Sequence, residues 1–242
     1  MFINQFTRKF STSVRHLKAV KVKNAKGSSS HEWLSRQLSD PYVEKAKMMN
    51  YRCRSAFKLL EMDDRFQILK PGQVVIDCGA APGSWTQVAV KRVNSDASDT
   101  REPQGRVIAI DKQQIFPIDG AVILGNVDFT TSQTQSKILE TLAGRKPHVV
   151  LSDMAPKATG VTHLDNENII HLCYVTLRFA AQVSEVGATL VVKLWQCGQA
   201  KQLETDFSKF YSKVKYVKPN SSRTDSAEIF LLARNFKGLI KQ

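Results

Sequence analysis

The sequence predicts an α/β fold: a doubly wound sheet, parallel in its core, with an antiparallel hairpin added at its end. Three observations carry this reading. Apolar, β-branched runs alternate with helical segments along most of the chain. The first run, from Val74, leads directly into a turn punctuated by Gly79 and Gly83 and then into a helix, which is how such a sheet makes its first ligand-binding turn. The last two runs, Lys213–Val217 and Ile229–Ala233, have no helix between them.

The elements follow in order. Residues 1–31 hold seven Lys and Arg, and the first acidic residue is Glu32. Phe2, Phe6, Phe10 and Val14 recur every four residues, so an apolar stripe runs along one helical face with basic residues around it. An acid-free, Arg-containing, Ser-rich amphipathic leader has the signature of a mitochondrial transit peptide. A flexible RNA-binding arm is the competing reading, but it needs no apolar stripe. Ser28–Ser30 divides the chain into a leader, 1–30, and one domain, 31–242. Tyr51–Phe66 reads as a helix. Strands are predicted at 74–79, 106–111, 121–127, 148–153 and 188–195, and helices at 85–92, 132–142, 167–185 and 199–212. Residues 94–104 are polar and without period, which predicts a mobile surface loop.

Composition bounds the function. Lys and Arg number 35 against 22 Asp and Glu, a formal charge of +13, which favours a polyanionic partner. No apolar run approaches the ~18 residues of a transmembrane helix, so no membrane insertion is expected. The four cysteines are scattered, with no Cys-x-x-Cys pair. Neither a metal site nor a disulfide framework is therefore expected, and a reducing compartment fits.

The turn after the first strand narrows the ligand. A dinucleotide fingerprint spaces three glycines around a pyrophosphate. Here there are two, Gly79 and Gly83, and Pro82 removes a backbone N–H that a pyrophosphate cradle would use. A cofactor without phosphates fits better, S-adenosylmethionine above all. A plain strand–turn–helix connection with no ligand is the bland alternative.

Ligands of such sheets bind outside the carboxyl ends of the strands, and each strand ends in a suggestive residue. Asp111 would accept hydrogen bonds from ribose hydroxyls, and Asp128 would reach an adenine edge. Trp85 either packs on the cofactor or is a core aromatic. Asp153 ends the fourth strand. Lys193 interrupts the apolar fifth strand. It either snorkels to the solvated rim or serves as a base steered by the neighbouring Asp153.

The segments Arg52-Cys-Arg54-Ser-Ala-Phe-Lys58-Leu59, Asp77-Cys-Gly-Ala-Ala-Pro-Gly-Ser-Trp85, Ser152-Asp-Met-Ala-Pro156, Val191-Val-Lys193 and Lys218-Pro-Asn-Ser-Ser-Arg223, followed by Glu228, together resemble the FtsJ-like ribose 2′-O-methyltransferases from about Ser30 to Arg234. The resemblance implies a Rossmann-like S-adenosylmethionine-dependent methyltransferase fold, with a mostly parallel seven-stranded sheet and an antiparallel C-terminal strand. It implies a catalytic tetrad of Lys58, Asp153, Lys193 and Glu228. Pro82, Gly83, Ser84, Trp85, Asp111, Asp128 and Asp153 would bind the cofactor. Arg52, Arg54, Lys157 and Arg223 would hold RNA. Ser84 stands where the family commonly has a second glycine, and Lys157 where it often has Asn; neither departure removes a tetrad residue.

With the leader, the chain resembles the mitochondrial branch of the family. That branch methylates a uridine ribose near the peptidyl-transferase centre of large-subunit rRNA, in support of large-subunit biogenesis. The expected protein is a matrix-located monomer acting on that rRNA or on the assembling subunit. The alternatives are a transfer-RNA or cap ribose 2′-O-methyltransferase, a non-catalytic rRNA-binding assembly factor, and an NAD-dependent oxidoreductase. Against the last stand the missing third glycine, Pro82 and the lack of a second substrate domain.

Overall fold

The computed structural model describes residues 40–239. The predicted leader, residues 1–30, lies outside them. The elements run α1 (Pro41–Met48), α2 (Ala56–Phe66), β1 (Val74–Cys78), α3 (Ser84–Val93), β2 (Arg106–Ile110), β3 (Ala121–Leu124), α4 (Ser132–Leu142), β4 (Val149–Ser152), α5 (Thr162–Val183), β5 (Thr189–Trp195), α6 (Ala200–Phe210), β6 (Tyr211–Val217) and β7 (Glu228–Phe236). The seven strands form one sheet in the order β3-β2-β1-β4-β5-β7-β6. β7 is the antiparallel strand, seated between β5 and β6. Order reverses at β1, where the chain steps back past it to β4. That switch point is where an open α/β sheet makes its crevice.

The alternation of side chains sorts the core into two layers. On one face Ile76, Cys78, Ile108, Ile110, Val150 and Val192 pack with α4, α5 and α6. On the other, Val75, Val107, Val149, Leu151, Val191 and Phe230 pack with α2 and α3. The central strands are buried on both faces, which is why they read as continuous apolar runs. Among the described residues no helix is long and apolar enough to cross a membrane.

Several boundaries differ from those the sequence predicts. The helix expected from Tyr51 begins at Ala56. Ahead of it the backbone N–H of Arg52 goes to Gln87 Oε1 instead of into a helical ladder. β3 stops at Leu124, and Asn126 turns into the left-handed region with φ 57°. α5 starts at Thr162, five residues early, because the Asp165 carboxylate gathers the N–H groups of Thr159 and Gly160 at its head. α6 ends at Phe210, since Tyr211 already pairs with Phe236.

The segment 94–104 is a mostly exposed surface loop, as its composition predicts, and it is tied internally by hydrogen bonds. Asn94 is buried, and its amide donates to the carbonyls of Asp99 and Glu102 while its Oδ1 accepts the N–H of Asp99. One buried side chain thus supplies the partners that a strand or helix would otherwise give.

Candidate active site

Two lysine–carboxylate pairs stand together where β4, β5 and β7 meet α2. Lys193 lies in β5 with its side chain on the α2 face, in step with Val191. Its Nζ donates to the carbonyl oxygen of Asp153 at 2.5 Å and lies 3.0 Å from Asp153 Oδ1. Lys58 reaches over from the first turn of α2, and its Nζ lies 2.6 and 2.7 Å from the two oxygens of Glu228. Glu228 opens β7 opposite Trp195, two residues past Lys193. All four side chains are mostly buried, at 11–17 % exposure. At that depth a lone charge would be costly, and pairing removes most of the cost.

Burial alone would raise the Glu228 pKa. Lys58, the more distant Lys193 and the Ser222 hydroxyl (3.0 Å) outweigh it, so the carboxyl stays below its ordinary value and ionised. The influence of Lys193 on Glu228 shows that the two pairs share one field. The structure therefore brings all four residues of the predicted tetrad together.

Beside the Lys193–Asp153 pair opens a cleft of about 800 Å³, within the size range of small-molecule sites. Asp111, Asp128 and Asp153 line it from the ends of β2, β3 and β4, and Ile110, Met154 and Leu172 give it apolar walls. Asp111 is held rigidly, accepting from the N–H groups of Ala81 and Gln113. Asp128 accepts from Thr130 and pairs with Lys112 at 2.9 Å. Burial raises its pKa, but these contacts outweigh burial and keep it below the ordinary value. Asp111, Asp128 and Asp153 offer hydrogen-bond acceptors to a nucleoside in a cleft of mixed polar and apolar walls, two of them paired with Lys112 and Lys193.

Gly79 sets one wall. Its φ is +77°, and an added Cβ would come within 2.6 Å of Met154 Cγ and 2.9 Å of Met154 Cα. Only glycine lets the end of β1 pass so close to the segment that follows β4.

The remaining predicted positions fall elsewhere. Trp85 does not line the cleft. It is 2 % exposed, packs on Phe230 with ring centroids 5.5 Å apart, and donates its indole N–H to Ser55 O. It is the core aromatic of the α2–α3 layer. Ser84 is also buried, its hydroxyl 2.7 Å from Ser55 Oγ and 3.0 Å from Cys53 Sγ. Pro82 and Gly83 lie off the cleft as well. At Gly83 a Cβ would meet Arg52 Nη1 and Ile118 at 2.7 Å, so this glycine makes room for Arg52.

Arg52 in turn donates to the carbonyls of Pro82, Phe116 and Pro117. Its guanidinium clasps two loops together. Arg54 donates to Ser221 O and stacks over the Tyr42 ring. Lys157 is exposed on the lip of the cleft, and Arg223 is half-buried in the β6–β7 loop.

The FtsJ-like methyltransferase family model matches residues 51–236. The chain belongs to the FtsJ-like methyltransferase family. It is 59 % identical to the Drosophila melanogaster protein named rRNA methyltransferase 2, mitochondrial, over 89 % of this chain and 87 % of that one. It is 46 % identical to ribosomal RNA large subunit methyltransferase E of Cereibacter sphaeroides, over 90 % of each. A solved Plasmodium falciparum structure described as a ribosomal RNA methyltransferase superposes with a TM-score of 0.68 at 29 % identity, covering 78 % of this chain and all of that one.

Three features of this FtsJ-like site were not legible beforehand. Lys112, next to Asp111, closes the ion pair on Asp128; a basic residue after a strand-end carboxylate gave no distinguishing signal. Asn168 and His171 line the cleft from α5, whose first turns lack an apolar stripe. Asp77, inside the family's turn segment, is wholly buried. Its Oδ2 accepts from the Thr86 hydroxyl at 2.7 Å, tying β1 to α3, and its Oδ1 has no partner among the described residues.

Burial pushes the Asp77 pKa up to about 7, offset in part by Thr86 and reinforced by Asp153 and Asp111. The folded value exceeds the ordinary 3.8, so the folded state binds the extra proton. This group's contribution therefore declines as pH rises from about 4 to about 7, and then levels off. Asp77→Asn removes that slope and is expected to raise stability at pH 8 by roughly 1 kcal/mol or more. Urea unfolding at pH 5 and pH 8 checks it, and equal pH slopes for variant and parent would refute the assignment.

Proposed function

We propose that this protein transfers a methyl group from S-adenosylmethionine to the ribose 2′-hydroxyl of a uridine near the peptidyl-transferase centre of mitochondrial large-subunit rRNA. The observation that carries the reading is the coupled pair of lysine–carboxylate contacts beside a carboxylate-lined cleft. The names of the Drosophila and bacterial relatives support the substrate class, and the acid-free leader supports the mitochondrial matrix as its place of action. A monomer in support of large-subunit biogenesis is the matching physiological reading.

The cleft fits S-adenosylmethionine, with Asp111 and Asp128 holding its adenosine and Asp153 near its charged end. When bound it supplies an electrophilic methyl on a positively charged sulfur with a good leaving group. The protein's own residues then have two tasks, to orient the 2′-hydroxyl and to take its proton. Lys193 presents N–H donors to Asp153. One donates to the Asp153 carbonyl oxygen and the Asp153 carboxylate lies 3.0 Å away, so the amine is aimed by Asp153 toward the hydroxyl whose proton it would take. Glu228 holds Lys58, and Lys58 completes the positive field around the incoming ribose and its phosphate. Lys157 and Arg223 are proposed to meet RNA at the rim, where affinity should fall steeply with salt.

Mapping 2′-O-methyl groups in mitochondrial rRNA with and without the protein tests this. One large-subunit uridine should lose its methyl when the protein is removed, and return with the intact gene alone. An unchanged map would refute the reading. A changed transfer-RNA or cap position would move the substrate within the family.

A further inference from the structure

The α2–β6 face of the molecule, away from the cleft, gathers cations from three separate elements. Lys215 in β6 places its Nζ 3.8 Å from the centroid of the Phe66 ring, and the Arg65 guanidinium lies 5.0 Å from the same centroid. Lys213 pairs with Arg234 across the β6–β7 ladder. Burial and then the charges of Arg65, Arg234 and Lys213 all push the Lys215 pKa down, and no carboxylate offsets them. None of the four has a carboxylate within 4 Å among the described residues. The acidic side chains nearest in sequence are already taken. Asp63 and Asp64 both pair with Arg92, on the α3 side.

Clustering like charges works against folding, so the arrangement needs a reason. β6 is an edge strand, and outward lysines deter edge pairing. That explains Lys213 and Lys215. It does not explain why Arg65 and Arg234 converge on them from a helix and a neighbouring strand.

The patch is also aligned with the active site. Lys58 and Arg65 are seven residues apart on α2, so they share one helix face about 10 Å apart along its axis. A small recess formed by Glu61, Met62, Arg65, Val217, Lys218 and Asn220 lies along this stripe.

We propose that Arg65, Lys213, Lys215 and Arg234 form a phosphate-backbone contact surface for the substrate RNA flanking the target nucleotide. Charge complementarity selects the occupant: four cations without counterions suit a polyanion, and the stripe along α2 leads from them to the tetrad. The proposal rests on the RNA-methylating function argued above. The contacts are to phosphate, so they position the RNA and carry no sequence preference.

The test uses the full chain and a transcript of large-subunit rRNA spanning the peptidyl-transferase region. The variant Arg65→Gln/Lys213→Gln/Lys215→Gln/Arg234→Gln is compared with a control, Lys137→Gln/Lys146→Gln/Lys201→Gln/Lys209→Gln, which removes the same charge from exposed sites elsewhere. Dissociation constants are measured across a range of KCl concentrations. S-adenosylmethionine affinity and melting temperature report that each variant is folded. The patch variant should bind at least about tenfold more weakly at low salt, and its log–log salt slope should be shallower by about 3, at 0.7–0.9 per lost phosphate contact. The control should keep most of the wild-type slope.

A patch variant with the wild-type slope overturns the proposal and leaves the face to an acidic protein surface. Equal loss in the control overturns it too, because the effect would then be one of net charge. Methyl transfer by the wild type to the same transcript is scored separately. Failure there counts against the proposed function, whereas failure of the slope counts against the patch.

Discussion

Replacing Lys193 with alanine is expected to lower kcat for methyl transfer by about 10²–10⁴-fold, the range for a group that moves a proton in the transition state, while S-adenosylmethionine still binds. The reason lies in what Nζ touches. It contacts Asp153 twice, at its carbonyl and its carboxylate, and lies at the junction of the cleft and the second ion pair. Truncation removes the proposed proton acceptor and takes away the Lys193 partner of Asp153. Some loss of stability is therefore expected as well, and melting temperature is measured alongside turnover. Lys193→Arg separates the roles. A guanidinium can keep the contact with Asp153 but cannot accept a proton. Arginine should be nearly as inactive as alanine. Turnover close to wild type in the arginine variant would show that charge and orientation suffice, and the assignment of Lys193 as base would be wrong.

The second large effect falls on stability. Lys58→Ala leaves Glu228 ionised and mostly buried, with only the more distant Lys193 and the Ser222 hydroxyl to balance its charge. Breaking a buried pair from one side costs about 3–5 kcal/mol. Removing both partners with apolar residues, Lys58→Met/Glu228→Leu, should cost much less, because no orphaned charge remains. Both variants should be catalytically impaired, so denaturant unfolding is the informative readout. The pH dependence has a definite sign. The folded Glu228 pKa lies below its ordinary value of 4.5. The pair therefore contributes fully above that value and loses its contribution as pH falls through the lower, folded one. The stability gap between wild type and Lys58→Ala should be widest near neutrality and close in acid. A constant gap from pH 7 to pH 3 would contradict this.

The sheet and its strand-end carboxylates were legible because both signals are local. β-branched runs mark strands buried on two faces, and a polar residue closing such a run marks the rim. Lys193 was legible as an anomaly, a lysine among Val191, Val192 and Leu194. Its pairing with Asp153 follows from β4 and β5 being neighbours, whereas the role of Lys58 and Glu228 came only through family resemblance. Trp85 was left between cofactor and core, and Ser84 was given to the cofactor, because motif position does not say which way a side chain points. Both lie in the first turn of α3, on the side packed against α2. α1 was missed because its eight residues carry three charges and bury only Ala46. The hydrogen bonds that tie 94–104 include three at one buried amide, Asn94, which composition cannot distinguish from the polar residues around it. The Arg65–Lys213–Lys215–Arg234 cluster was invisible for another reason, since α2, β6 and β7 meet only in the folded chain.

The claim that binds these observations is that the chain methylates a ribose oxygen. Purified protein incubated with methyl-labelled S-adenosylmethionine and unmodified large-subunit rRNA tests it most directly, followed by complete alkaline hydrolysis. A 2′-O-methyl group blocks cleavage at its own phosphodiester. The label should appear in a single alkali-resistant dinucleotide with uridine on its 5′ side, and should be missing with Lys193→Ala. Label released as an ordinary mononucleotide would place the methyl on a base and contradict the account.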